Sequence, residues 1–218
     1  MRFLCKKLVM RLVILADEYL KEEILSHETK ETGIIWIENA EEFIQYKNAD
    51  GFFDLLFDNS IQRIELLKKI SSKPVIINSV TTTLKETKAP FVRVNAWPGF
   101  WTRSVAEASY NNENIKEQAE KIFSLLNKRI EWVADNPGFI TARVIAMIIN
   151  EAYFALGEGV STKEEIDTAM KLGTNYPFGP FEWAKKIGLK NIYLLLDKLH
   201  KTNPRYEPAV ILKKGAKT

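Results

Sequence analysis

The chain has 218 residues, 46% hydrophobic, 27% charged and 11% aromatic, with 31 basic against 28 acidic side chains and a formal net charge of +3. That composition suits a globular chain with a sizeable core and argues against a nucleic-acid binder, because no Lys/Arg block stands out. No apolar run approaches the ~20 residues of a membrane-spanning helix. The single cysteine, Cys5, can form no internal disulfide, and with only His27 and His200 there is no metal-type Cys/His cluster. Residues 1–15 are basic then apolar, but they lack a small-residue cleavage site and are interrupted by Lys6, Lys7 and Arg11. They read as a first strand, not a signal peptide, and the expected location is cytoplasmic.

In chain order, residues 8–16 read as a buried strand, 18–25 as a charged helix, 33–38 as a second strand and 40–47 as helical. Residues 51–57, 74–79 and 91–95 read as further strands, with a helix at 60–70. Short apolar strands alternating with short helices predict a mostly parallel α/β sheet. At 112–128, Ile115, Ala119, Ile122, Phe123 and Leu126 form one helical stripe, followed by a short strand at 130–133. From Asn136 onward the pattern is helical. Asn136 suits an N-cap and Pro137 a first helical position. The stretch 138–156 is apolar almost all round, so it predicts a helix buried on several sides and ended by Gly157 and Gly159. Ser161 with Glu164 suits a capping box for a helix stopping at Gly173, and two helices follow at 180–187 and 190–201. The expected organisation is an α/β domain over 1–135 and an all-helical domain over 136–218.

The helical half carries a Pro-Gly-Phe at 137–139, an Asn-Glu-Ala at 150–152, an Ile-Asp-x-Ala-Met at 166–170 and a Pro-x-Gly-Pro-Phe at 177–181. In this order and spacing they resemble the C-terminal domain of 3-hydroxyacyl-CoA dehydrogenases. Upstream, ADGFFDLLFDN resembles that family's Ala-Asp-x-Val-Ile-Glu-Ala strand, NSVTTTL its Ser-Asn-Thr-Ser-Ser-Leu segment, and VNAWPGFWTRSVAE its catalytic His-Phe-Phe-Asn-Pro…Glu stretch. The resemblance implies a Rossmann-like sheet, here shortened between the first strand and Ala49, followed by the helical dehydrogenase domain.

A dinucleotide fold places three glycines after its first strand, so that backbone can approach the pyrophosphate and offer helix N–H groups to it. The resemblance puts Leu15, Asp17 and Leu20 in those places. Leucine side chains would block the approach, and a carboxylate ~5 Å from a phosphate charge would be repelled by roughly 3 kcal/mol at an effective dielectric near 20. No cofactor is therefore expected, although the family uses NAD. Glu38, ending a strand, is the one candidate for a ribose-binding acid; an exposed strand-end glutamate is the alternative.

The family's acid–base chemistry uses a histidine base, a glutamate twelve residues later that orients it, and a serine and an asparagine on the substrate. Onto these positions the resemblance lays Asn95, Glu107, Ser79 and Ala142. Asn95 does not titrate and cannot act as a general base. Ser79 also suits a hydroxyl capping its own turn. Trp97, Pro98, Phe100 and Trp101 surround Asn95 in sequence, as core or as fillers of the former cleft. His27 and His200 read as solvated surface histidines. The expected protein is a family homologue with lost or impaired oxidation, binding an acyl-CoA or other anionic small molecule or acting as a scaffold. It is expected to form a homodimer through its helical half, with no nucleic-acid or membrane partner. An active NAD-dependent 3-hydroxyacyl-CoA or 3-hydroxybutyryl-CoA dehydrogenase is the alternative.

Overall fold

The structure, a computed structural model, describes residues 10–26 and 32–217. Cys5, His27 and the first two residues of the strand read at 8–16 lie outside that range. The chain divides into two compact units, Met1–Ala96 with Phe100–Asp135, and Trp97–Gly99 with Asn136–Thr218.

The first unit is a seven-stranded sheet: β1 (Met10–Leu15), β2 (Thr32–Ile37), β3 (Gly51–Asp54), β4 (Val75–Asn78), β5 (Val92–Val94), β6 (Val105–Ser109) and β7 (Arg129–Trp132). The spatial order is β2-β1-β3-β4-β5-β6-β7, parallel throughout except where β6 runs antiparallel to β5. The alternation of strands and helices is thus a mostly parallel, Rossmann-like sheet. One face buries Leu12, Ile14 and Phe53 with Leu20 and Ile24 of α1 (Glu18–Leu25) and Ile122 and Phe123 of α4 (Glu113–Leu125). The other buries Val13, Phe52 and Ile77 with Phe43 of a 3-10 turn at Ala40–Gln45, Leu67 of α2 (Ile61–Lys68) and Leu84 of α3 (Leu84–Thr87). Both faces are covered, so the strands are apolar without alternation.

Strand β6 was not legible: VAEAS carries one β-branched residue and follows an irregular aromatic segment. That segment is core. Trp101 packs at ring-centroid distances of 6.1 Å from Phe53 and 6.0 Å from Phe123. Lys128 donates to the carbonyls of Trp101 and Arg103 and lies 5.1 Å from the Trp101 ring centroid, which pins this segment to the start of β7. Burial pushes the Lys128 ammonium down to about 8.

The second unit is α5 (Thr141–Gly157), α6 (Lys163–Thr174), α7 (Pro180–Ile187), α8 (Leu189–His200), a 3-10 turn at Pro204–Tyr206 and α9 (Val210–Gly215). Helix α5 starts later than the Asn136–Pro137 reading expects. Gly138 (φ +83°) and Phe139 (φ +49°) are left-handed, which no helix start tolerates, and Pro137 instead accepts a 2.7 Å hydrogen bond from Arg143 Nη2. The C-terminus of α5 is a Schellman motif: Gly159 N–H donates to Leu156 O (3.2 Å) and Val160 N–H to Ala155 O (3.0 Å). The next capping box is one residue later than expected, formed by Thr162 and Glu165, and the helix runs past Gly173 to left-handed Asn175. Helix α5 is not covered all round. Ala142, Ile145, Ala146 and Ile149 are buried, but Val144 is 49% and Phe154 37% exposed.

The family-like motifs of this half have a structural cause. Asn150, buried, donates to Glu207 O (2.8 Å) and accepts from Ala209 N–H (2.9 Å), which ties the C-terminal segment to α5. Asp167 accepts from Phe181 N–H (2.8 Å) and Glu182 N–H (3.1 Å), capping α7 from α6. Among the described residues no helix is long and apolar enough to cross a membrane.

Candidate functional site

The order β2-β1-β3 reverses direction at β1, and ligands of open α/β sheets bind outside the carboxyl ends of the strands at such a switch point. The register aligns Leu15 with Ile37 on one side and with Asp54 on the other, so these residues and the β1–α1 turn floor that crevice. Leu15 and Leu20 are each 2% exposed, and Leu20 belongs to the core packed under α1. Asp17 is the N-cap of α1, its Oδ1 accepting from Leu20 N–H at 2.8 Å. A side-chain carboxylate therefore occupies the helix terminus whose free N–H groups would otherwise receive a phosphate. The β1–α1 turn carries no glycine, and a side-chain carboxylate sits on the helix terminus that follows it. These residues do not fit a dinucleotide. Glu38 follows β2 and is exposed; its backbone N–H donates to Glu42 Oε1 at 3.1 Å. Among the described residues no group of three His, Cys, Asp or Glu side chains could hold a metal ion.

Further along the same edge, Asn95 follows β5, and Glu107 lies on antiparallel β6 directly opposite. Asn95 N–H donates to Glu107 O (3.1 Å), and Asn95 Nδ2 donates to Glu107 Oε2 (3.2 Å). The twelve-residue spacing is that of a ladder pair, which explains why the two meet. Ser79 follows β4, and its hydroxyl donates to Thr82 O at 2.9 Å, so its proton serves its own turn. Ala142 is fully buried on α5. His200, half-buried at the end of α8, places Nδ1 3.3 Å from Pro204 O. The structure thus brings Asn95 and Glu107 together around a neutral amide, with no titrating base between them.

Three polar residues were not singled out from the sequence. Asn78 bridges three strands, with Nδ2 donating to Leu55 O and Ala96 O (3.2 Å each) and Oδ1 accepting from Ala96 N–H (3.0 Å). Arg93 is fully buried and pairs with Asp135 at 3.0 Å, and Asp135 in turn accepts from the Leu84 and Lys85 N–H groups. Burial pulls the guanidinium down to about 10 against the pull of Asp135.

The third is Asp54, the acid of the ADGFFD segment, where the resemblance itself was the available signal. It is fully buried at the end of β3, 3.5 Å from Arg63 Nη1. Burial pushes its carboxyl from 3.8 up to about 6, outweighing Arg63. The folded state therefore holds a proton that the unfolded state releases between those two pH values. This contribution to stability is complete below the window and is lost as pH rises through it, by roughly 3 kcal/mol at about 1.36 kcal/mol per pH unit. Urea unfolding on either side of the window is expected to show that decline, and Asp54→Asn is expected to remove most of it. An unchanged pH profile in the variant would contradict the assignment.

Residues 138–218 match the family described as 3-hydroxyacyl-CoA dehydrogenase, C-terminal domain. The chain is 39% identical over 115 residues to 3-hydroxyadipyl-CoA dehydrogenase of Escherichia coli K12, a match spanning 52% of this chain and 24% of that protein. It is 28% identical over 187 residues to the probable 3-hydroxybutyryl-CoA dehydrogenase of Bacillus subtilis, spanning 78% of this chain and 65% of that protein. The chain thus spans between a quarter and two thirds of the length of these curated relatives. Its fold matches the crystal structure of (S)-3-hydroxybutyryl-CoA dehydrogenase from Ralstonia eutropha with a TM-score of 0.72 at 18% identity, over 94% of this chain and 93% of that one. Residues 138–218 thus carry the C-terminal domain of that family, and the fold of the whole chain is similar to that of the Ralstonia eutropha enzyme.

Proposed function

We propose that this chain does not carry out NAD-dependent oxidation and serves instead as a dimeric scaffold that keeps a site for an acyl-CoA-type or other anionic small molecule. The observation that carries the reading is the Asp17 carboxylate seated on the α1 N-terminus, 2.8 Å from Leu20 N, with Leu15 and Leu20 buried around it. The second support is Asn95. Its amide donates to Glu107, where a dehydrogenase of this family needs a base to take the substrate's hydroxyl proton. A general base typically contributes 10²–10⁴-fold in rate. The competing reading, an active dehydrogenase, draws on the names of the relatives.

Incubating the purified protein with acetoacetyl-CoA and NADH is expected to give no turnover above the protein-free blank. Asn95→His alone is expected to leave it inactive, because Leu15, Asp17, Leu20 and Ala142 remain. Ordinary turnover by the unmodified chain would overturn the proposal.

A further inference from the structure

At the amino ends of β3 and β4, opposite the crevice described above, lies a cavity of about 540 Å³. That volume falls within the roughly 300–1,000 Å³ typical of small-molecule sites. Its apolar wall is Phe52, Ile70 and Ile44. Phe52 and Ile70 are 1% and 6% exposed, whereas Ile44 stands 39% exposed. Around that wall stand Lys47, Lys69 and Lys73, all exposed, and no acidic side chain lines the cavity.

The three lysines come from two segments, one leading into β3 and the other into β4. Among the described residues none of the three makes an ion pair or a side-chain hydrogen bond, whereas neighbouring Lys68 pairs with Glu65 at 2.7 Å and does not line the cavity. The helix dipole accounts for one basic residue at the end of α2 but not for Lys47 or Lys73, which lie outside the helix. The last carbonyls of α2 are already taken, since Lys69, Ile70 and Ser71 N–H groups donate to Leu66, Leu67 and Lys68 O. They therefore do not require the lysines as partners.

We propose that this cavity binds an anionic amphiphile, a compact aliphatic or aromatic body ending in a single carboxylate or phosphate. The body would rest on Phe52, Ile70 and Ile44, and the anion would be shared among the three ammonium groups. The site is separate from the carboxyl-end crevice, so its fate is independent of the catalytic reading.

The test uses octanoate and octyl phosphate as probes on the full chain, with 1-octanol as the neutral control, read by amide chemical-shift titration and calorimetry. Saturable binding of at least one anion is expected, with shifts at Ile44, Phe52 and Ile70; whichever anion binds more tightly identifies the head group. The Lys47→Gln/Lys73→Gln double variant is expected to weaken binding roughly 4- to 25-fold, at about 2- to 5-fold per exposed charge. Lys68→Gln is expected to leave it unchanged, and Lys69→Gln gives a second, single-site measure of the same loss. Absence of saturable binding by both anions, equal binding of 1-octanol, or equal binding by the double variant would overturn the proposal.

Discussion

Gly179→Ala is expected to destabilise the helical unit by about 3–5 kcal/mol, the sum of overpacking and a lost helix cap. The backbone there is ordinary, with φ −72° and ψ 165°, so conformational strain plays no part. The obstacle is Asp167: a Cβ at Gly179 would lie 2.3 Å from its Oδ1 and 2.4 Å from its Cβ and Cγ. Asp167 cannot retreat without releasing the Phe181 and Glu182 N–H groups that it caps. Two controls isolate this cause. Gly159→Ala, at φ +72° with nothing within 4 Å of the new Cβ, is expected to cost only roughly 1–2 kcal/mol of left-handed strain. Asp167→Gly/Gly179→Ala is expected to be no less stable than Gly179→Ala, because only removing the whole Asp167 side chain, its Cβ included, clears what the new methyl collides with. Urea unfolding followed by circular dichroism reads all three. A Gly179→Ala stability within about 0.5 kcal/mol of the parent, the ordinary range for a surface change, would refute the account of this motif.

Val144→Glu is expected to convert a dimer into a monomer. Helix α5 packs one side against α7, α8 and α9 and leaves Ile140 (55% exposed), Val144 (49%) and Phe154 (37%) on the other. A symmetric pairing of two such faces would bury Val144 of both copies near one axis, since a two-fold interface uses the same patch twice. Placing a carboxylate there on each copy buries two uncompensated like charges, which is expected to weaken association by on the order of 10²-fold or more. Light scattering at micromolar concentration is expected to give twice the chain mass for the parent and the chain mass for the variant. A monomeric parent would refute the dimer and weaken the scaffold role with it.

Much of the fold was legible because the strands are short apolar runs separated by amphipathic helices, and periodicity reports that directly. The helical motifs were legible too, though as architecture: Asn150 and Asp167 tie segments together, and Gly179 makes room for Asp167. What escaped was set by tertiary register or by backbone geometry. Strand β6 has a weak intrinsic preference and is fixed by pairing with β5 and β7. The start of α5 depends on Phe139 at φ +49°, a conformation no local pattern announces for phenylalanine. Asp54 and Lys128 stand near element ends, where charges are usually exposed, and only packing shows that both are buried. At the candidate site, the resemblance laid Asn95 and Glu107 on the family's base and its orienting acid, and the antiparallel ladder brings the two within 3.2 Å. The hydroxyl of Ser79, weighed between substrate and turn, donates to Thr82 O.

The proposed loss of nucleotide binding is tested most directly by calorimetric titration of the purified chain with NADH. No saturable heat is expected up to ligand concentrations on the order of 1 mM, which corresponds to less than about 4 kcal/mol of binding free energy. The Asp17 carboxylate already accepts from Leu20 N–H at the α1 N-terminus, where a pyrophosphate would need free N–H groups. Stoichiometric micromolar binding of NADH, abolished by adding bulk at Ala16 beside the β1–α1 turn, would contradict the account.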